Sequence, residues 1–190
     1  MTLPLLDFTI QNNMHKDILD NCYKRKNLSV ITGKLGDEEE ISSEDFMKLL
    51  YCIRTKSDIT IIDTRTGLSE LTRLSIQNSM YDLLVFDCDI MHFHMNMRML
   101  EELKDDFVPQ KTIAVINNTN IRSSSHKFIY NELAGSGIPF KDMAFISSCG
   151  FISYEMMHTG LTPCQAAADK NKGFLGDMDR LLVKLGISGE

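Results

Sequence analysis

Thr112-Ile-Ala-Val-Ile-Asn117 is the stretch that decides the fold. It is short, apolar between polar ends and rich in β-branched residues, the pattern of a strand buried on both faces. Working outward, Ser123 to Leu133 has helical spacing and stops at Ala134-Gly-Ser-Gly137, a glycine signal for a helix C-terminus. On the other side, Asn96 to Leu103 is also helical in pattern. Beyond these helices lie two more runs of the same kind, Leu83-Leu-Val-Phe-Asp87 and Met143-Ala-Phe-Ile146. Strands separated by helices call for crossover connections, and these join parallel strands.

The alternation continues toward the N-terminus. Leu3-Pro-Leu-Leu-Asp-Phe8 is an apolar run in which Pro4 fits only near a strand's start or edge. Met14 to Arg25 reads as a helix, with Met14, Ile18, Leu19 and Cys22 on one face. Leu28-Ser-Val-Ile-Thr32 is a short strand closed by Gly33, and an acidic solvated loop follows from Asp37 to Glu40. Ser42-Ser-Glu-Asp45 is a helix start of the capping-box kind, continued by Phe46, Leu49, Leu50 and Ile53. Ile59-Thr-Ile-Ile-Asp63 reads as another doubly buried strand. The turn Thr64-Arg-Thr-Gly67 leads into a helix from about Leu68 to Ser79, with Thr64 or Thr66 as its cap. A last helix is expected from Leu175 to Leu185. Six β-runs separated by helices predict an α/β fold: one domain over residues 1–190, with a mainly parallel sheet flanked by helices on both faces.

Composition excludes several classes. The 190 residues are 43% hydrophobic and 24% charged with four Pro, which rules out a disordered or collagen-like chain. No run approaches the ~18 apolar residues of a membrane span, and the start lacks a basic leader region. The expectation is a cytoplasmic protein. A net charge of −6 repels phosphate backbones, so a nucleic-acid role would need a local basic patch or a partner. Five cysteines without a CxxC pair indicate neither a disulfide framework nor a zinc ribbon.

Three segments read together resemble the ParA/MinD family of deviant P-loop ATPases, especially its pilus- and secretion-associated branch. The first joins Asn27-Leu-Ser-Val-Ile-Thr-Gly33, Ile41-Ser-Ser-Glu-Asp-Phe46 and Ser57-Asp-Ile-Thr-Ile-Ile-Asp-Thr64. It is similar to the family's path through a helix into its Walker B strand. The second, Asp63-Thr-Arg-Thr-Gly-Leu-Ser-Glu-Leu-Thr72 with Tyr81-Asp-Leu-Leu-Val-Phe86, resembles the switch II turn, its helix and the next strand. The third, Ile113-Ala-Val-Ile-Asn-Asn118 with the segment from Ile146 to Leu161-Thr-Pro163, is like the late strand with its base-contacting Asn.

The resemblance implies a P-loop NTPase-like fold and a nucleotide site built from Asp7, Asp63, Gly67 and Asn117. Asp63 would hold Mg²⁺ through water while the ion bridges phosphates of ATP or ADP. Gly67 would let backbone approach the γ-phosphate. Asn117 would present its amide to an adenine edge.

The chain also departs from the pattern. Nowhere does it carry G-x-x-x-x-G-K-[ST], and Lys34 in Thr32-Gly-Lys-Leu-Gly36 lacks the second glycine that a phosphate loop requires. Thr9 stands where the family's water-activating Asp would be, and its hydroxyl is not ionised near neutral pH. The expected function is therefore a degenerate, non-hydrolysing binding or scaffolding relative. It would act in pilus assembly, secretion, partition or positioning. The alternative is a nucleotide-switch ATPase whose phosphate loop comes from another chain or from a missing N-terminal segment.

In Asp87-Cys-Asp-Ile-Met-His-Phe-His94, two His at i, i+2 would share one face of a strand and could bridge a metal with a third ligand. A strand-end loop whose His and Met pack against a neighbour is the plainer account. Met91, Met95 and Met99 at helical spacing suit core or an adaptable partner surface. Ser147-Ser-Cys-Gly-Phe151 lacks a nucleophile elbow, so its serines read as loop hydrogen-bonders. Lys24, Arg25 and Lys26 form a short basic patch on an expected helix end. The expected partner is a second copy of the chain or a heterologous protein, because an uncovered sheet edge needs a cover.

Overall fold

The structure, a computed structural model, describes residues 22–31, 41–64, 69–119, 125–138, 140–149, 158–159, 165 and 172–187. The chain divides into two compact units, Met1–Asp63 and Thr64–Glu190. The runs at Leu3–Phe8, with Asp7 and Thr9, and the glycine Gly67 lie outside the described residues.

In the first unit, β1 (Tyr23–Arg25) and β2 (Leu28–Val30) form an antiparallel hairpin in which Arg25 pairs with Leu28. Lys26 opens its two-residue loop with φ of 52°, the left-handed value such turns require at their first position. This corrects the helix expected through Arg25. The Lys-Arg-Lys patch therefore lies on a strand and its turn, where no helix dipole acts on it. Helix α1 (Ser43–Arg54) begins as its sequence signal demands: Ser42 caps it, its hydroxyl accepting from the Asp45 N–H at 3.1 Å. Lys48 pairs with Glu44 and Asp45 on its first turns, and the Glu44 contact raises the Lys48 pKa.

Ile59–Asp63 is a second correction. It forms no strand, and Ile59 and Ile61 are 56% and 88% exposed. Its β-branched composition describes a residue set that fits a pleated, packed surface, and propensity alone supplies no such surface.

The second unit holds the parallel sheet. Its strands are β3 (Asp82–Asp87), β4 (Thr112–Thr119) and β5 (Asp142–Ser147), in spatial order β3-β4-β5. Helices α2 (Glu70–Asn78), α3 (Ile90–Glu101), α4 (Ser125–Gly135) and α5 (Lys172–Lys184) surround it. Alternation along β4 distributes the core. Ala114 and Ile116 pack with Phe86, with Phe93 and Leu100 of α3, and with Ile129 and Leu133 of α4. Ile113 and Val115 face the other way, onto Ala144, Ile146 and the α5 residues Phe174 and Leu181. The fold is thus α/β, with a three-stranded parallel sheet among the described residues and helices on both faces.

At the amino edge of this sheet, Asp82 is buried beside Lys111 Nζ at 3.3 Å and accepts from the Ser79 hydroxyl. Lys111 also donates to the carbonyls of Ile76 and Ser79, so one cation ties α2 to β3. No helix among the described residues is long and apolar enough to cross a membrane.

Candidate functional site

Open parallel sheets bind ligands beyond the carboxyl ends of their strands. Such a crevice, about 540 Å³ in volume, lies there in the second unit. Parallel register sets Asp87 of β3 directly beside Asn117 of β4, about 4.8 Å apart in backbone terms. Ser147, Ser148 and Cys149 line it from the end of β5, and His92, Met95 and Asn96 from α3. Val85 and Phe86 supply apolar wall.

Local backbone explains the aim of these groups. The β4–β5 register shifts between Ile116 and Thr119, and Asn118 takes φ of 57°. A bulge of this kind turns successive side chains out of strict alternation, so Asn117 and Asn118 both line the crevice. Asn adopts the left-handed region more readily than other non-glycine residues. Past the bulge the strands are tied again. The Thr119 hydroxyl donates to Ile146 O at 3.0 Å, and the Ser148 N–H to Thr119 O at 2.9 Å. The Ser147 N–H donates to buried Asp177 of α5 at 2.8 Å, and Asp177 also pairs with Arg180.

Helix α3 enters the crevice wall at its first turn. Asp89 is its N-cap, accepting from the N–H groups of Met91 at 2.8 Å and His92 at 3.1 Å. The His92 N–H bond, then that of Met91, holds the Asp89 carboxyl below the usual carboxylate range. The positive end of this helix is therefore already answered by the chain's own carboxylate. Burial, then the Asp87 charge, pushes the Cys88 thiol up.

The helix starts at Ile90, six residues before the expected Asn96, and this corrects the metal geometry. Two residues apart on a helix, His92 and His94 stand about 200° apart around the axis. His92 lines the crevice, whereas His94 sits edge-on between Phe93 and Phe128, with centroids at 6.0 and 5.8 Å. Among the described residues, no three His, Cys, Asp or Glu side chains gather as a metal site.

Of the four positions in the expected nucleotide site, Asn117 lines this crevice. Asp63 is exposed and belongs to the first unit; Asp7 and Gly67 fall outside the described residues. The sequence offers Asp87 and His92 only as part of a metal-ligand segment, and it gives Asn96 and Asn118 no role in a site. Two signals would have found them: the Asn117-Asn118 pair at a strand end, and Asp89 two residues after a strand as a helix cap. No family model, curated protein or solved structure matches this chain.

Proposed function

We propose that this chain is a binding or scaffolding protein, a degenerate relative of the ParA/MinD ATPases. It would use its crevice to hold a ligand or partner and would hydrolyse nothing. The observation that carries the reading is the make-up of the crevice. It has the position of a nucleotide site at a parallel sheet's carboxyl edge, and no lysine or arginine among the described residues lines it. A triphosphate needs cationic side chains, a free helix N-terminus or a cradle of backbone N–H groups. The first are missing from the described lining, and Asp89 already occupies the α3 terminus. On this reading Asp7, Asp63, Gly67 and Asn117 are relict positions. Mg²⁺ would meet Asp63 only with a nucleotide in place. The cellular setting implied by the resemblance is pilus assembly, secretion, partition or positioning.

The same proposal includes association, with a second copy of the chain or with a heterologous protein. Met91 and Met95, one helical turn apart on α3, are 72% and 68% exposed, and thioether side chains make adaptable contacts.

Calorimetry with ATP and ADP, with and without Mg²⁺, tests the site. The expected result is no binding at micromolar affinity, about −8 kcal/mol. Micromolar binding that Asp63→Ala and Asn117→Ala abolish would favour the alternative, a nucleotide switch completed by another chain or a further N-terminal segment.

A further inference from the structure

We propose that the crevice at the carboxyl edge of β3, β4 and β5 binds a small aliphatic amine of the polyamine kind, its ammonium head at Asp87. This rests on the reading of the chain as a binding protein and names the ligand class of that same site. The first argument is charge. Asp87 gives the lining a carboxylate, and no described lysine or arginine there balances it. The terminus of α3, which reaches this lining, is capped by Asp89. The Asp87 carboxylate attracts a cation and repels an anion that comes within a few ångströms of it.

The second argument is hydrogen-bonding type. An alkylammonium has three donors and no acceptor, so its site must be rich in acceptors. Asp87 stands in register beside Asn117, and the bulge brings Asn118 to the same lining. The two amide oxygens and the hydroxyls of Ser147 and Ser148 add acceptors to the carboxylate. The third argument is shape. About 540 Å³ lies within the range of small-ligand pockets, roughly 300–1,000 Å³. Val85 offers apolar surface along which a methylene stem can lie.

Titration calorimetry with spermidine and putrescine, at low and at physiological salt, tests the assignment. The expected result is saturable one-site binding of spermidine that Asp87→Asn weakens at least tenfold. Asn96→Ala, in the lining on α3, should weaken it several-fold. Asp179→Asn, exposed on α5 and outside the lining, should leave it unchanged. Circular dichroism checks that each variant is folded. No saturable binding up to millimolar spermidine would overturn the proposal. So would binding that Asp87→Asn and Asp179→Asn weaken equally, which is the signature of an amine held loosely by the net charge of −6. These outcomes are independent of nucleotide hydrolysis. A chain that turns over ATP refutes the binding-protein reading, whereas one that neither hydrolyses ATP nor binds amines refutes only this ligand.

Discussion

Asn118 is the residue at which backbone conformation and site geometry meet. Its φ of 57° lies in the left-handed region, which strains a β-branched side chain and leaves glycine at ease. Asn118→Val should therefore lower stability by about 1–3 kcal/mol. Asn118→Gly should stay within about 0.5 kcal/mol of the parent, as a urea titration would show. A second residue-scale effect is electrostatic. Lys184 of α5 holds the Asp142 carboxyl at the start of β5 below the usual carboxylate range, with the Met143 N–H assisting. A carboxyl whose folded pKa is depressed stabilises the fold above its unfolded pKa, near 3.9, and that stabilisation is lost as pH falls through the folded value. Both side chains are part-exposed, so Lys184→Ala should cost less than about 1 kcal/mol at neutral pH. The difference from the parent should shrink toward zero under acid. A constant difference down to pH 2 would show that the side chain acts through packing instead.

At the scale of elements, α5 is joined to the sheet by more than its apolar face. Asp177 accepts the Ser147 N–H where β5 ends and the crevice begins. Asp177→Ala would leave that N–H without its partner, at a cost of about 1–3 kcal/mol. Hydrogen exchange at Ser147 and Ser148 should quicken ahead of exchange in the middle of β5. Equal quickening across the whole strand would mean that Asp177 secures all of β5 instead.

Elements are also where the sequence was most and least readable. The three parallel strands stood out as short apolar runs between helical patterns, because burial on two faces leaves an unbroken signature. Helices α1 and α2 were legible from composition and spacing. Ser42 announced the first, whereas the second is capped by Ser69. Of the hairpin at Tyr23–Val30, the pattern gives the second strand and hides the first, because the helical spacing of Met14, Ile18, Leu19 and Cys22 extends the expected helix to Arg25. Helix α3 was entered late because Asp87 to His94 read as a ligand-rich strand end, while the deciding signal was Asp89 as a cap. Ile59–Asp63 misled in the opposite sense, since among the described residues its β-branched side chains find no pleated neighbour. The crevice was half legible. A strand-end Asn117 followed from pattern, but Asp87 beside it depended on strand register, and Asn118 on a bulge that no periodicity encodes.

At the scale of the whole molecule, association and hydrolysis are the properties to measure. If a second copy covers the α3 methionines, light scattering should give a mass above 21.6 kDa that rises with concentration. Met91→Asp with Met95→Asp should return a folded monomer, because both side chains face solvent in the single chain. A concentration-independent 21.6 kDa would leave a heterologous protein as the partner.

The central claim is that this α/β chain keeps a binding crevice without the chemistry of phosphate cleavage. ATP turnover by the purified chain in Mg²⁺ tests it most directly. The account predicts a rate below about 10⁻³ s⁻¹, far under typical enzyme rates and unchanged by Asp63→Ala or Asn117→Ala. A rate above that value, lost in either variant, would contradict it.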